Sequence, residues 1–236
     1  ARLAGINRII FTAHGWYFKE DQSLFVKIIT WLLSWLTVIF SHKTIILSEV
    51  DKQSALYFPF AKKKLHVIYN GVKPIDFIER QTARESLFNK KQCEIHKDAF
   101  WVVTIAELHP NKSLSAAIKG VVATKQSGQN IFYTIIGEGE ERENLINLIQ
   151  TANAEDYIKL LGFVENASNY LKAFDIFLLT SKKEGLPYVL LEAGLAESNV
   201  ISTNVGGISE IVENNITGFL LENPKPEIIL KKLLIA

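Results

Sequence analysis

The chain has 236 residues, 48% of them hydrophobic, with 26 lysines and arginines against 25 aspartates and glutamates. This composition excludes a disordered chain, and the net charge of +1 gives no bulk electrostatic case for a nucleic-acid partner. The length suits one large domain or two small ones, and the single cysteine, Cys93, excludes an internal disulfide and fits a reducing, cytoplasmic compartment.

In chain order, Arg8 to Ala13 (RIIFTA) reads as a short buried strand, apolar and rich in β-branched residues. It stops at His14-Gly15-Trp16. A histidine directly after a strand stands where α/β proteins place their ligand sites; a loop histidine with a structural hydrogen bond is the plainer alternative. From Leu24 to Phe40 only Lys27 is charged. The run is slightly short for a spanning helix, which needs about 20 apolar residues. A core helix is the preferred reading. A helix whose Trp31–Trp35 face lies in a membrane interface is the other. Thr44 to Ser48 is a second strand, Glu49 to about Phe58 a polar helix, and Leu65 to Tyr69 a third strand, ended by the turn signal Asn70-Gly71. Residues 74–97 are polar and charge-rich and read as irregular. The boundary is therefore expected near Lys73, giving domains of 1–73 and 74–236.

From Phe100 the pattern alternates. Strands are expected at Trp101–Ala106, Ile131–Ile136, Ile158–Leu161, Asp175–Thr180 and Asn199–Thr203, with a short one at Thr217–Glu222. Helices are expected near Ser113–Gln126, Glu140–Thr151, Ala167–Ala173, Pro187–Ala196, Ser209–Asn214 and Pro226–Ala236. Such alternation means right-handed βαβ crossovers and a parallel sheet, with its functional loops at the carboxyl ends of the strands. Those loops carry Glu107 to Lys112, Gly137-Glu138-Gly139, Phe163-Val164, the segment around Glu184, and Val205-Gly206-Gly207. Lys112 could meet a diphosphate as a point charge. A lysine at a helix start opposes the helix dipole, and a bound anion would account for it.

The stretch Ser181 to Glu197 (SKKEGLPYVLLEAGLAE) joins the strand before it to a helix that starts at Pro187, a residue suited to the first helical turn. Glu184 precedes that helix. Glu192 lies inside it among apolar neighbours, where burial without a partner is costly. Gly185 and Leu186 bring bare backbone N–H groups to a helix N-terminus, which attracts phosphate. Taken singly, each carboxylate also reads as a solvated glutamate.

Together these residues resemble a known family. E-G-L-P-Y-V-L-L-E-A is similar to the E-x7-E motif of retaining GT-B glycosyltransferases, glycosyltransferase family 4 in particular. T-x-H-G-W, I-x-N-G-V, the Gly137-x-Gly139 turn and V-G-G resemble further family segments. The resemblance implies an α/β fold of GT-B type, with two Rossmann-like parallel-sheet domains, the first incomplete. The chain would then be a piece lacking the front of the acceptor-side domain and the C-terminal tail, and the absence of any methionine agrees with that. It places Glu184 by the donor sugar, Glu192 on the ribose, His14 near the reaction centre and Lys112 on the diphosphate. Phe163 and Val164 would lie against the base, with Gly137, Gly185, Leu186 and Pro187 also at the donor.

The implied activity is transfer of a sugar from a nucleotide-diphospho-sugar to a glycan or lipid-linked acceptor, with retention of configuration. A membrane surface is an implied contact, and nucleic acid is not a partner. No cofactor is expected, and no metal, because the sequence has neither Asp-x-Asp nor a His/Cys cluster with ligand spacing. One departure stands out: Glu107 occupies a position where many family members have a phosphate-binding arginine. A nucleotide-sugar-binding module without transferase activity is the alternative. A dehydrogenase-like Rossmann protein is disfavoured by the lack of a Gly-x-Gly-x-x-Gly turn.

Overall fold

The structure, a computed structural model, describes residues 5–19 and 22–235. The start of the expected 1–73 domain, Glu20 and Asp21 within it, and the last residue of the expected final helix lie outside the described residues. The chain divides into two compact units. One runs up to Gly71 and includes Lys183–Pro187 and Val205–Glu210; the other comprises Val72–Lys182, Tyr188–Asn204 and the chain from Ile211 on.

The first unit holds β1 (Ile10–Ala13), α1 (Leu24–Phe40), β2 (Lys43–Ile46), α2 (Glu49–Ala55) and β3 (Leu65–Val67). The three strands form a parallel sheet in the order β1-β2-β3. Ala13, Trp16, Val38, Ile46, Phe58 and Leu65 make its core. The first strand is shorter than expected and only partly buried, with Ile10 65% exposed, because it has β2 alone as a neighbour among the described residues.

The core-helix reading of α1 holds for one face only. Val38 is its only buried residue among those described, while Leu24, Phe25, Ile28 and Leu33 are exposed. The tryptophan face is the one turned to the protein: Trp31 meets Phe58 edge-on at 5.3 Å and stacks with Trp35 at 6.4 Å. The Trp35 indole N–H donates to the Pro59 carbonyl at 3.0 Å. A helix with so few polar residues has no polar face to offer solvent, so the side not covered by this small core stays apolar. Among the described residues no helix is long and apolar enough to cross a membrane.

The second unit opens with α3 (Arg80–Leu87) and α4 (Lys90–Ile95), which corrects the irregular reading of residues 74–97. The Glu79 carboxylate accepts from the Gln81 and Thr82 N–H groups, and the Asn89 side chain accepts from Gln92 N–H, so each helix has its own cap. Then follow β4 (Phe100–Ile105), α5 (Leu114–Gln126), β5 (Ile131–Ile136), α6 (Arg142–Thr151), β6 (Ile158–Gly162), β7 (Ile176–Leu179), α7 (Tyr188–Leu195), β8 (Asn199–Thr203), β9 (Gly218–Leu221) and α8 (Pro226–Leu233). Two expected helices, Ala167–Ala173 and the one after Val205-Gly206-Gly207, are 3-10 turns.

These six strands are parallel, in the order β6-β5-β4-β7-β8-β9. Alternate residues serve the two faces, as the strand period of two requires. Val102, Tyr133, Ile135, Ile176 and Leu178 join the core with α5, α6 and α8. Trp101 and Phe132 instead pack against Phe88 and His96 from the α3–α4 side, at 4.2–5.2 Å between ring centroids. The Arg84 guanidinium lies 4.2 Å above the Trp101 ring and pairs with Asp175.

Candidate functional site

The strand order reverses direction between β4 and β7, the topological switch point at which open α/β sheets bind ligands outside the carboxyl ends of their strands. A cleft of about 520 Å³ lies on that edge of the second unit. Its wall is built by the residues that follow β4, β5 and β6, and by Glu192 from α7. The cleft brings together Gly137, Phe163, Val164 and Glu192, four residues singled out in the sequence, and adds Glu107 and Glu138.

The local reasons are visible. Gly137 has φ of 142°, and a Cβ there would fall 1.9 Å from the Ala106 carbonyl oxygen. Only glycine lets the turn after β5 lie against the loop after β4. Phe163 is 78% exposed and offers an open ring face to a flat ligand. Glu192 is half-buried in α7, and burial holds its carboxyl above the usual carboxylate range. An ionised carboxylate accepts hydrogen bonds only, so it suits a pair of neighbouring hydroxyls.

Lys112 does not line this cleft. It closes a 3-10 turn, Pro110–Lys112, capped by the His109 side chain. The Thr180 hydroxyl at the end of β7 donates to the Lys112 carbonyl at 2.8 Å, and Lys182 N–H donates to the Asn111 carbonyl at 2.7 Å. Its backbone is thus held at the switch point, and the side chain is half-buried.

A larger cavity, about 670 Å³, lies at the opposite end of the sheet, lined by Phe100, Ile176 and Asn199, the first residues of β4, β7 and β8. The Arg80–Asp175 ion pair at 2.6 Å occupies its wall. Strand amino ends are not where such sheets bind ligands, so size does not decide in its favour.

The remaining predicted residues fall in the first unit, so the carboxylate pair is divided: Glu184 groups with the first unit and Glu192 with the second. His14 is exposed directly after β1, between buried Ala13 and buried Trp16. Trp16 anchors the segment, its indole N–H donating to the Asp51 carbonyl at 2.8 Å. The segment 183–187 lies close to it. A Cβ on Gly185 would be 2.8 Å from the His14 carbonyl oxygen. Asn70 donates its side-chain amide to the Leu186 carbonyl at 2.7 Å, and Gly207 N–H donates to the Gly185 carbonyl at 2.7 Å. Glu184 and Pro187 are half-buried and Leu186 is buried. The helix begins at Tyr188, one residue later than expected.

Two features were not reached from the sequence. Asn70, read there as part of a turn, holds the Leu186 carbonyl. Glu210 presents both carboxylate oxygens to the N-terminus of α2, accepting from Glu49 N–H at 2.9 Å and Val50 N–H at 3.0 Å. No local signal announces this, since the partners are about 160 residues apart. Among the described residues, no group of three or more His, Cys, Asp or Glu could hold a metal ion.

Comparison with known proteins gives a consistent picture. Residues 85–235 match the family model described as glycosyl transferases group 1. The chain is 26% identical over 220 residues to the O-antigen biosynthesis glycosyltransferase WclY of Escherichia coli, covering 92% of this chain and 60% of that protein. It is 30% identical over 233 residues to the E. coli UDP-Gal:alpha-D-GlcNAc-diphosphoundecaprenol alpha-1,3-galactosyltransferase, covering 94% and 58%. The structure is similar to that of Anabaena Alr3699/HepE in complex with UDP, with a TM-score of 0.81, 19% identity, and 97% and 62% of the two chains covered. The chain therefore spans about 60% of the length of these curated relatives.

Proposed function

Because this chain belongs to the glycosyl transferases group 1 family, we propose that it serves a glycosyltransferase that moves a sugar from a nucleotide-diphospho-sugar to an acceptor with retention of configuration, as in glycosyltransferase family 4. The observation that carries this reading is the cleft at the switch point, where an open aromatic face, a glycine turn and a half-buried carboxylate meet. The base lies against Phe163 and Val164, and Glu192 takes the ribose hydroxyls. Lys112 and the N–H groups of Gly185 and Leu186 stabilise the charge that develops on the leaving nucleoside diphosphate; one such preorganised donor is worth roughly 3–4 kcal/mol of barrier. Glu184 orients the sugar hydroxyls, and His14 serves the transferred sugar and the incoming hydroxyl. The reaction needs no cofactor and no metal.

The acceptor is a glycan or a lipid-linked glycan, a reading supported by the O-antigen and diphosphoundecaprenol names of the relatives. The protein works in the cytoplasm, in peripheral contact with a membrane. The exposed Leu24, Phe25, Ile28 and Leu33 of α1 support that contact. A nucleotide-sugar-binding module without transfer is the second reading, favoured by the Glu107 carboxylate on the cleft wall.

The test is to supply an α-linked donor such as UDP-glucose with a lipid-diphosphate-linked glycan and follow the anomeric proton by NMR. An α-linked product supports the proposal. A β-linked product overturns retention, and donor binding without transfer by the full-length parent protein favours the second reading.

A further inference from the structure

Glu107 is fixed on the cleft wall from both sides. The N–H of Ala106 donates to the Ile136 carbonyl at 3.0 Å. On the other side, Leu108 is fully buried; its N–H donates to the Glu138 carbonyl at 2.8 Å and its carbonyl accepts from Glu141 N–H at 2.9 Å. A Cβ on Gly139 would lie 2.6 Å from the Leu108 carbonyl oxygen, so the glycine turn rests directly on this loop. With both neighbours held, Glu107 stays exposed on the wall of the cleft it lines. Close by, Arg142 pairs with Glu138 at 3.3 Å, and the His109 ring lies 3.7 Å from Glu140. Among the described residues the Glu107 carboxylate makes no ion pair.

If the cleft holds the donor, an unpaired carboxylate on its wall acts differently on the two nucleotide forms. In a nucleotide sugar the diphosphate carries two negative charges. Once the sugar has left, the terminal phosphate ionises again, with a second pKa near 6, and the product carries close to three. Resting on the donor reading above, we propose that Glu107 sets the cleft's preference between substrate and product: its carboxylate disfavours the free nucleoside diphosphate more than the nucleotide sugar, and so promotes product release. Glu192 does not discriminate in this way, because the ribose is the same in both. A cleft of this volume is on the order of 10 Å across. At that separation, and with an effective dielectric constant of roughly 40–60, one extra unit charge is disfavoured about 2.5-fold to fourfold.

The experiment is isothermal titration of the 236-residue chain and of Glu107→Gln with UDP and UDP-glucose, at low and high salt, with the GDP and ADP pairs as further probes. The expected result is that the Kd of the diphosphate relative to its sugar ester falls about threefold in the variant, and that the wild-type difference shrinks at high salt. Equal tightening of both ligands overturns the proposal, as does an unchanged ratio while both ligands bind; either result leaves the donor reading intact. If no nucleotide of any pair binds either protein, the donor reading fails and the inference falls with it.

Discussion

Replacing Gly137 with alanine isolates what holds the cleft wall in place. The added Cβ would lie 1.9 Å from the Ala106 carbonyl oxygen and 2.9 Å from its carbonyl carbon. Real Cβ contacts essentially never fall under 3.0 Å, so the ends of β4 and β5 must part by about 1.1 Å or more. That movement breaks the bond from Ala106 N–H to the Ile136 carbonyl, a net loss of about 1 kcal/mol. A side chain at φ 142° adds about 1–3 kcal/mol of backbone strain. Together these come to roughly 2–4 kcal/mol, or about 5–15 °C in Tm for a chain of this size. Gly128→Ala is the control: its φ is also positive, 97°, but nothing lies within 4 Å of the added Cβ, so it carries the strain without the clash. Thermal melts followed by circular dichroism of both variants should place Gly137→Ala clearly below Gly128→Ala. Equal melting temperatures would mean that the close approach of the two strand ends has no energetic consequence.

Glu192→Gln removes a carboxyl whose pKa burial has raised. The native state therefore holds its proton more firmly than the unfolded chain does, and stability falls as pH rises from the ordinary carboxylate range through the raised value. The variant should melt higher than wild type above that window and match it on acidification; a gap that widens on acidification contradicts the sign. Arg84→Ala removes a guanidinium bonded to the Ala173 carbonyl at 2.7 Å and seated over Trp101, and should lose about 2–4 kcal/mol in urea unfolding. A loss under about 0.5 kcal/mol would count against a structural role for α3. Glu210→Ala leaves the Glu49 and Val50 N–H groups without their acceptor and should lose about 1–2 kcal/mol. The same change should return the Tyr69 hydroxyl, whose pKa is raised first by its bond to Glu210, towards its ordinary value in an ultraviolet titration.

The second sheet was legible because its strands are short apolar runs set between helical patterns, and a buried parallel strand such as β5 writes that signature plainly. The cleft was legible for the same reason: once the strands are placed, Gly137, Phe163 and Val164 must follow their carboxyl ends. The α3–α4 segment was not, since its caps are single residues, Glu79 and Asn89, in a charge-rich stretch, and the buried Arg84 reads as solvated until Trp101 is seen beneath it. The partial exposure of β1 and α1 was missed because apolar composition reports what a residue prefers, not whether a neighbour is there to cover it. Glu210 was beyond reach, because its partners on α2 are distant in sequence.

On the proposed function, the cleft at the switch point of the second unit holds the nucleoside of a sugar donor. The most direct test is ligand-observed NMR of this chain with UDP-, GDP- and ADP-sugars and with NAD, repeated on Glu192→Ala. One nucleotide sugar should bind, and the variant should bind it about tenfold more weakly or worse, the loss expected when charge-assisted hydrogen bonds to two hydroxyls disappear. Binding of NAD in place of every nucleotide sugar, or nucleotide-sugar binding unaffected by Glu192→Ala, would contradict the proposal.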